Sequence, residues 1–264
     1  MPKLAANLTM MFNEVDFLDR FEAAARAGFK GVEYLFPYPY QKEQLVERLQ
    51  KNDLLQVLHN LPAGDWAAGE RGIACLPDRV GEFQEGVGRA IEYATALGCK
   101  QLNCLSGIAP KGASTEKVQQ TFVDNLKFAA DKLGKANIRL VIEAVNQRDV
   151  PGFHLRDTRH VLETLEAVGS SNAWILYDIY HMQIMEGNLA PTIEKNRARI
   201  AHMQLADNPG RHEPGTGEIN YPFLFAFIDK LDYEGWIGCE YKPETSTVAG
   251  LGWTKPYLGK EQKA

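Results

Sequence analysis

The chain has 264 residues, 45% of them hydrophobic and 24% charged, with a net charge of −5. This is the composition of an ordinary soluble globular protein. The acidic balance argues against a nucleic-acid partner, and no run approaches the ~18 consecutive apolar residues of a membrane span. The opening MPKLAANLTMMF lacks the pattern of a cleaved signal. Cys75, Cys99, Cys104 and Cys239 form no C-x-x-C pair and no zinc spacing. Buried free thiols in a cytoplasmic protein are therefore expected.

Strand-like and helix-like segments alternate from end to end. The first apolar run, 4–10, precedes a helical pattern over 16–27, where Phe17, Phe21, Ala24 and Ala25 recur at helical spacing. Asp16 is a candidate N-cap for that helix, and Gly28 stops it. Further strands are predicted at 31–36, 55–61, 101–106, 139–146, 173–180, 200–206 and 235–241. Helices are predicted between them at 41–52, 80–97, 115–136, 157–168, 190–199 and 221–231. Eight strands separated by helices favour a parallel sheet, because each parallel connection needs a crossover. A doubly wound open sheet usually carries a glycine-rich phosphate turn after its first strand. Here NLTMMFNEVD follows that strand, with no glycine. The expectation is an α/β protein, a single (β/α)8 TIM barrel over 1–258, with a disordered tail at 259–264.

Four polar residues stand near the ends of four late apolar runs: Glu143 in RLVIEAVN, Asp178 in AWILYDIYH, Gln204 in IAHMQLAD and Glu240 in GWIGCEYKP. A buried unpaired carboxylate is costly or becomes neutral. Three acids and an amide, one per strand–helix unit, call for a shared divalent cation, since hard cations take oxygen ligands. Asn7, Glu33, His59 and Asn103, towards the ends of the first four strands, complete a ring at the active face. Glu143 and Glu240 come from strands that are not barrel neighbours. They suit a reaction in which a proton leaves one carbon and arrives at the next.

Other residues are candidates for substrate. His59 belongs to the ring, and His181 lies three residues past Asp178 and should lean towards the ligand. Arg211 sits in the turn-rich DNPGRHEPGTGEINY and could hold an anionic group, with Lys242 as a second cation. His202 shares the face of Gln204 one layer deeper and is read as packed support. His154 and His160, near a helix start, are given no catalytic role. The 59–78 connection, with glycines at 64, 69 and 72 and the single large aromatic Trp66, could be a closing lid. Phe36 and Tyr38, read as exposed apolar residues, leave a homo-oligomer open.

HNLPAGDWAAGERGIA from His59, YDIYHMQ from Tyr177, HMQLADNPGRHEPGTGEINY from His202 and GCEYKP from Gly238 carry a family resemblance over the whole chain. The sequence resembles the hydroxypyruvate isomerase family of the xylose-isomerase-like TIM-barrel superfamily. That resemblance implies metal ligation by Glu143, Asp178, Gln204 and Glu240, with Glu143 and Glu240 also as the acid/base pair. It implies interconversion of hydroxypyruvate and tartronate semialdehyde through an enediolate. A four-carbon 2-oxo-tetronate is the alternative substrate, and a catalytically silent sugar-acid binder the more remote one. A metal-dependent endonuclease would need more histidines than the six present, and a basic face. Many superfamily members have His-x-His on strand seven, where this chain has His202 and Gln204. The all-oxygen ligand set favours Mg²⁺, with Mn²⁺ second.

Overall fold

The computed structural model describes residues 1–258, so the expectation of a disordered tail at 259–264 lies outside the described residues. Eight parallel strands close into a barrel in sequence order, with the last strand paired to the first. They are β1 (Lys3–Asn7), β2 (Gly31–Glu33), β3 (Leu55–Asn60), β4 (Gln101–Cys104), β5 (Arg139–Glu143), β6 (Ala173–Asp178), β7 (Ile200–Leu205) and β8 (Trp236–Cys239). The helices are α1 (Arg20–Arg26), α2 (Lys42–Lys51), α3 (Val80–Leu97), α4 (Thr115–Lys135), α5 (Thr158–Val168), α6 (Ile179–Met185), α7 (Leu189–Asn196), α8 (Tyr221–Lys230) and α9 (Thr247–Gly250). None of the described helices is long and apolar enough to cross a membrane.

All eight predicted strands form, but most stop short of their apolar runs, and the places where they stop make the site. β1 ends at Asn7, whose carbonyl accepts the N–H groups of Met10 and Met11 and turns the chain. The 173–180 run is cut at Asp178, because Asp178 caps α6 by accepting the His181 N–H at 3.1 Å. The first helical segment is split into a short 3-10 turn, Phe17–Asp19, and α1, and the Asp16 side chain makes no cap bond. Gly28 does end the segment, at φ +96°, where a side chain would be strained.

Apolar side chains pack on both faces of the barrel wall. Ala5, Val57, Leu58, Val141, Leu176 and Ala201 pack inside the lower barrel, with Trp174 and Trp236 against them. Gly31 permits this closure, since a Cβ there would lie 2.6 Å from the Trp236 ring. The larger cluster lies between strands and helices and includes Leu4, Phe21, Phe122 and Leu126. With the floor filled, the polar strand ends above it line an open cavity.

Phe36 and Tyr38 are not free surface residues, contrary to the sequence reading. The Phe36 ring lies 5.1 Å from Trp66. Tyr38 donates its hydroxyl to the Asn60 carbonyl at 2.7 Å and lies beneath the Arg89 guanidinium. Both are half-buried within this chain.

Candidate active site

The strand ends open into a cavity of about 850 Å³, whose lining includes Glu143, His181, Gln204, Arg211 and Glu240. At its floor, ligand atoms of Glu143, Asp178, His181 and Glu240 lie within 4.8 Å of one another, all from buried residues. The fourth expected ligand, Gln204, is also buried and lines the same cavity.

A second polar layer lies below and fixes how Gln204 points. The Glu33 carboxylate accepts from Gln204 Nε2 at 2.8 Å and Asn7 Nδ2 at 3.0 Å, while His202 Nε2 lies 2.7 Å from its other oxygen. His202 is steadied in turn by Gln101 at 3.1 Å. With its amide nitrogen committed to Glu33, Gln204 leaves Oε1 buried and without a partner among the described residues. A buried orphan acceptor costs about 1–3 kcal/mol, so this oxygen calls for a cation or a donor. Together with the oxygens of Glu143, Asp178 and Glu240 it makes a donor set that fits a hard divalent ion.

This layer tolerates no extra volume. A Cβ on Gly238 would lie 2.2 Å from Glu33 Oε2. Gly238→Ala should therefore lower stability by about 1–3 kcal/mol and weaken divalent-ion binding through a displaced Gln204. Chemical denaturation and a calorimetric metal titration check both effects. Native values for both would mean that Glu33 is not confined.

His181 is held as a hydrogen-bond donor. The Asn146 amide is oriented because its Oδ1 accepts the Arg148 and Asp149 N–H groups at 3.0 and 2.8 Å. Its Nδ2 therefore donates, to Asp149 at 3.0 Å and to His181 Nδ1 at 2.7 Å. The proton of a neutral ring then resides on Nε2, which faces Glu143 and Asp178 at 3.7 Å each. Burial pushes His181 down to about 4, partly offset by Asp178, so the ring is neutral at pH 7. A ring that presents N–H leaves no lone pair for a metal and can donate to an oxygen.

Both glutamates have raised proton affinity. Burial, then the Glu240 and Asp178 charges, hold Glu143 well above the usual carboxylate range. Its partner there is Asn103, at 3.0 Å. Burial lifts Glu240 to about 8, against the opposing pull of Arg211, whose guanidinium lies 2.6 Å from Glu240 Oε2.

Arg211 arrives from a loop built around Asp207, whose carboxylate accepts N–H groups from Gly215, Gly217 and Ile219 at 2.8–3.1 Å. Gly217 allows that close approach, since a Cβ would lie 2.0 Å from the Asn208 carbonyl oxygen. The guanidinium also lies over the Tyr180 ring at 5.1 Å. Lys242 lines the same cavity and is exposed, with no ion-pair partner among the described residues.

His59 is the one candidate that the structure turns elsewhere. Strand residues alternate between faces, and in β3 it is Asn60 that lines the cavity and bonds Asn103 at 3.1 Å. His59 is buried against Tyr38, with Nδ1 3.1 Å from the Asn60 carbonyl. His202 lies beneath the site, as its position two residues before Gln204 implied. The sequence reading missed Asn60, Asn146 and Asp149. The last two follow Glu143 closely in EAVNQRD, and their polar cluster directly after a strand end was the available signal.

Comparisons with known proteins agree with this architecture. Residues 21–257 match the Xylose isomerase-like TIM barrel family. The chain is 56% identical to the hydroxypyruvate isomerase of Escherichia coli (strain K12), over 97% of this chain and 100% of that one. It is 47% identical to the 2-oxo-tetronate isomerase of Cupriavidus necator, over 98% of this chain and 100% of that one. A crystal structure described as AP endonuclease, family 2, from Brucella melitensis superposes with a TM-score of 0.96 at 44% identity. It covers 98% of this chain and 100% of its own. On sequence, topology and relatives alike, the chain belongs to the xylose isomerase-like TIM barrel family of enzymes and, within it, to the hydroxypyruvate isomerase family.

Proposed function

We propose that this protein is a cytoplasmic, Mg²⁺-assisted isomerase that interconverts hydroxypyruvate and 2-hydroxy-3-oxopropanoate (tartronate semialdehyde) through an enediolate. The observation that carries this reading is the pairing of Glu143 and Glu240. Two buried carboxylates with raised proton affinity meet at one oxygen-rich cluster. Four buried free cysteines suit a reducing compartment. Mn²⁺ is the second choice of ion for the same oxygen donors.

Glu143, Asp178, Gln204 and Glu240 would hold the ion. Bound there, it supplies Lewis-acid stabilisation of negative charge on two adjacent substrate oxygens. The remaining work falls to the chain's own groups. Glu240, whose carboxylate form Arg211 stabilises from 2.6 Å, is the member that takes the proton from the hydroxyl-bearing carbon. Glu143, without a cation of its own, returns a proton to the neighbouring carbon, the hydroxyl proton passes to the former keto oxygen, and proton exchange from Glu240 back to Glu143 resets the pair. His181 directs its Nε2–H to the substrate oxygens and supports the developing charge. Trp66, on the loop after β3, packs against Phe36 from the segment after β2 and screens the cavity mouth from water.

A four-carbon 2-oxo-tetronate is the second reading. The 850 Å³ cavity has room for one more hydroxymethyl group, and the chemistry is unchanged. A DNA-cleaving role, suggested by the wording attached to the Brucella structure, suits this site less well. The net charge of −5 opposes a polyanion.

A panel of three- and four-carbon keto acids, assayed with Mg²⁺, with Mn²⁺ and after chelation, tests the proposal. Turnover of hydroxypyruvate should disappear on chelation and return with Mg²⁺. Undiminished turnover in a demonstrably metal-free sample would remove the ion from the reaction. Binding without turnover of any keto acid would make the protein a sugar-acid binder.

A further inference from the structure

A carboxylate substrate entering this cavity meets Glu143, Asp178 and Glu240 at the floor and needs a cation whose charge is not already engaged. Arg211 is engaged by Glu240 at 2.6 Å. Lys242 is free but exposed, on a flexible stem whose ordering costs entropy. The third cation in the cavity wall is Arg71.

We propose that Arg71, carried on the loop between β3 and α3, is the anchor for the substrate carboxylate and the residue that selects acids over neutral sugars. The proposal rests on the hydroxy-keto-acid reading above. Its guanidinium lies over the Trp66 ring, 4.2 Å from the centroid. One terminal nitrogen, Nη1, donates to the Trp66 and Glu70 carbonyls at 3.2 and 2.7 Å. Those contacts hold the group in place and leave its other nitrogens without a partner among the described residues. No carboxylate there pairs with it. A planar fork held in place with an open edge is suited to a carboxylate.

The chain around it removes the obvious competitor and fixes the backbone. Glu70, the adjacent acid, is turned away: it pairs with Arg79 and accepts the Asp65 N–H, bracing the loop across its neck. Arg79 is bound in turn to Glu82 at the start of α3. Beyond Arg71, Gly72 (φ +114°) presses onto the segment after β4, where a Cβ would lie 2.4 Å from the Leu105 carbonyl oxygen. The Cys75 N–H donates to the Ser106 carbonyl at 2.8 Å. Arg71 therefore stands on a loop tied down on both sides.

The substrate geometry fits one anchor for both acids. In hydroxypyruvate and in a 2-oxo-tetronate, the keto carbon lies between the carboxylate and the hydroxyl-bearing carbon. With the keto and hydroxyl oxygens at the floor, the carboxylate projects from the keto side in each. The extra hydroxymethyl group of the four-carbon acid projects from the other side. A neutral ketose offers Arg71 no charge to pair with.

Calorimetric titration of the Mg²⁺-loaded protein with D-glycerate, which has the carboxylate and both oxygens but no carbonyl to isomerise, tests the assignment. Arg71→Gln should weaken glycerate at least about 30-fold, leave the Mg²⁺ affinity within about threefold, and raise KM for hydroxypyruvate far more than it lowers kcat. Arg71→Lys should recover part of the loss, and Lys242→Gln should lose less than Arg71→Gln. The assignment is overturned by any of three results: no glycerate binding by the unaltered protein, a larger loss in Lys242→Gln, or parallel loss of Mg²⁺ and glycerate in Arg71→Gln. If the unaltered protein turns over no keto acid, the isomerase reading fails, while the glycerate titrations still decide the role of Arg71.

Discussion

Glu143→Gln and Glu240→Gln are each expected to lower kcat by ~10²–10⁴ while a divalent ion stays bound. Glutamine keeps one oxygen donor and nearly the same shape, so the loss isolates proton transfer from ligation. The neighbours favour a well-behaved substitution. Asn103 donates to one oxygen of Glu143 and Arg211 to one oxygen of Glu240, and each can still meet an amide oxygen, while the longer Asn7 contact to the other Glu240 oxygen is given up. Asp178→Asn should behave differently. Asp178 also caps α6, and its replacement should lose metal first and recover partly at high Mg²⁺. Metal content and turnover measured together on the three variants separate the roles. Near-native rates for both glutamine variants in excess Mg²⁺ would reduce the glutamates to ligands. His181 would not then be an easy replacement base, because its free nitrogen carries a proton and its pKa is low.

The barrel was legible because its physics is local. Buried parallel strands read as apolar runs, the helices between them have a 3.6-residue period, and each segment satisfies one pattern. The buried acidic cluster was legible for a related reason. A carboxylate such as Glu143 at the end of RLVIE has no local explanation, so it demands a distant one. What sequence did not give depends on which way a side chain faces. His59 and Asn60 are adjacent polar residues at a strand end, and register alone decides that Asn60 faces the cavity. That register is disturbed nearby, at the irregularity between Val32 and Glu33. The run through Tyr177 was read as strand to residue 180, because a short apolar run does not distinguish strand from helix. Asp178 settles it as a helix cap. Arg71 stayed hidden because its neighbour Glu70 looks like its partner. Only the folded loop brings up Arg79 to take Glu70 instead.

The metal-free protein should lose stability as pH rises from about 6.5 to 8, the reverse of what buried ion pairs usually give. Glu240 moves from an ordinary 4.5 to about 8 on folding, and Glu143 also moves upward. Between those values the folded chain holds protons that the unfolded chain has released. Raising the pH therefore favours unfolding, at up to ~1.4 kcal/mol per pH unit for each such group. Four histidines act in the opposite sense at lower pH. His59, His154 and His181 fall from 6.5 to about 4 on burial, and burial lowers His160 as well, so the unfolded chain binds more protons there and stability rises with pH through that range. The two effects oppose one another below 6.5, and above it only the carboxylates remain. A divalent ion competes with those same protons at Glu143 and Glu240. Mg²⁺ should therefore raise the melting temperature more at pH 8 than at pH 6.5, and flatten the decline seen without it. Thermal denaturation across this range, with chelator and with Mg²⁺, checks the linkage. A metal-free melting temperature that stays level or climbs from pH 6.5 to 8 would show the two glutamates already ionised in the empty protein. The raised proton affinity on which the acid/base assignment rests would then be gone.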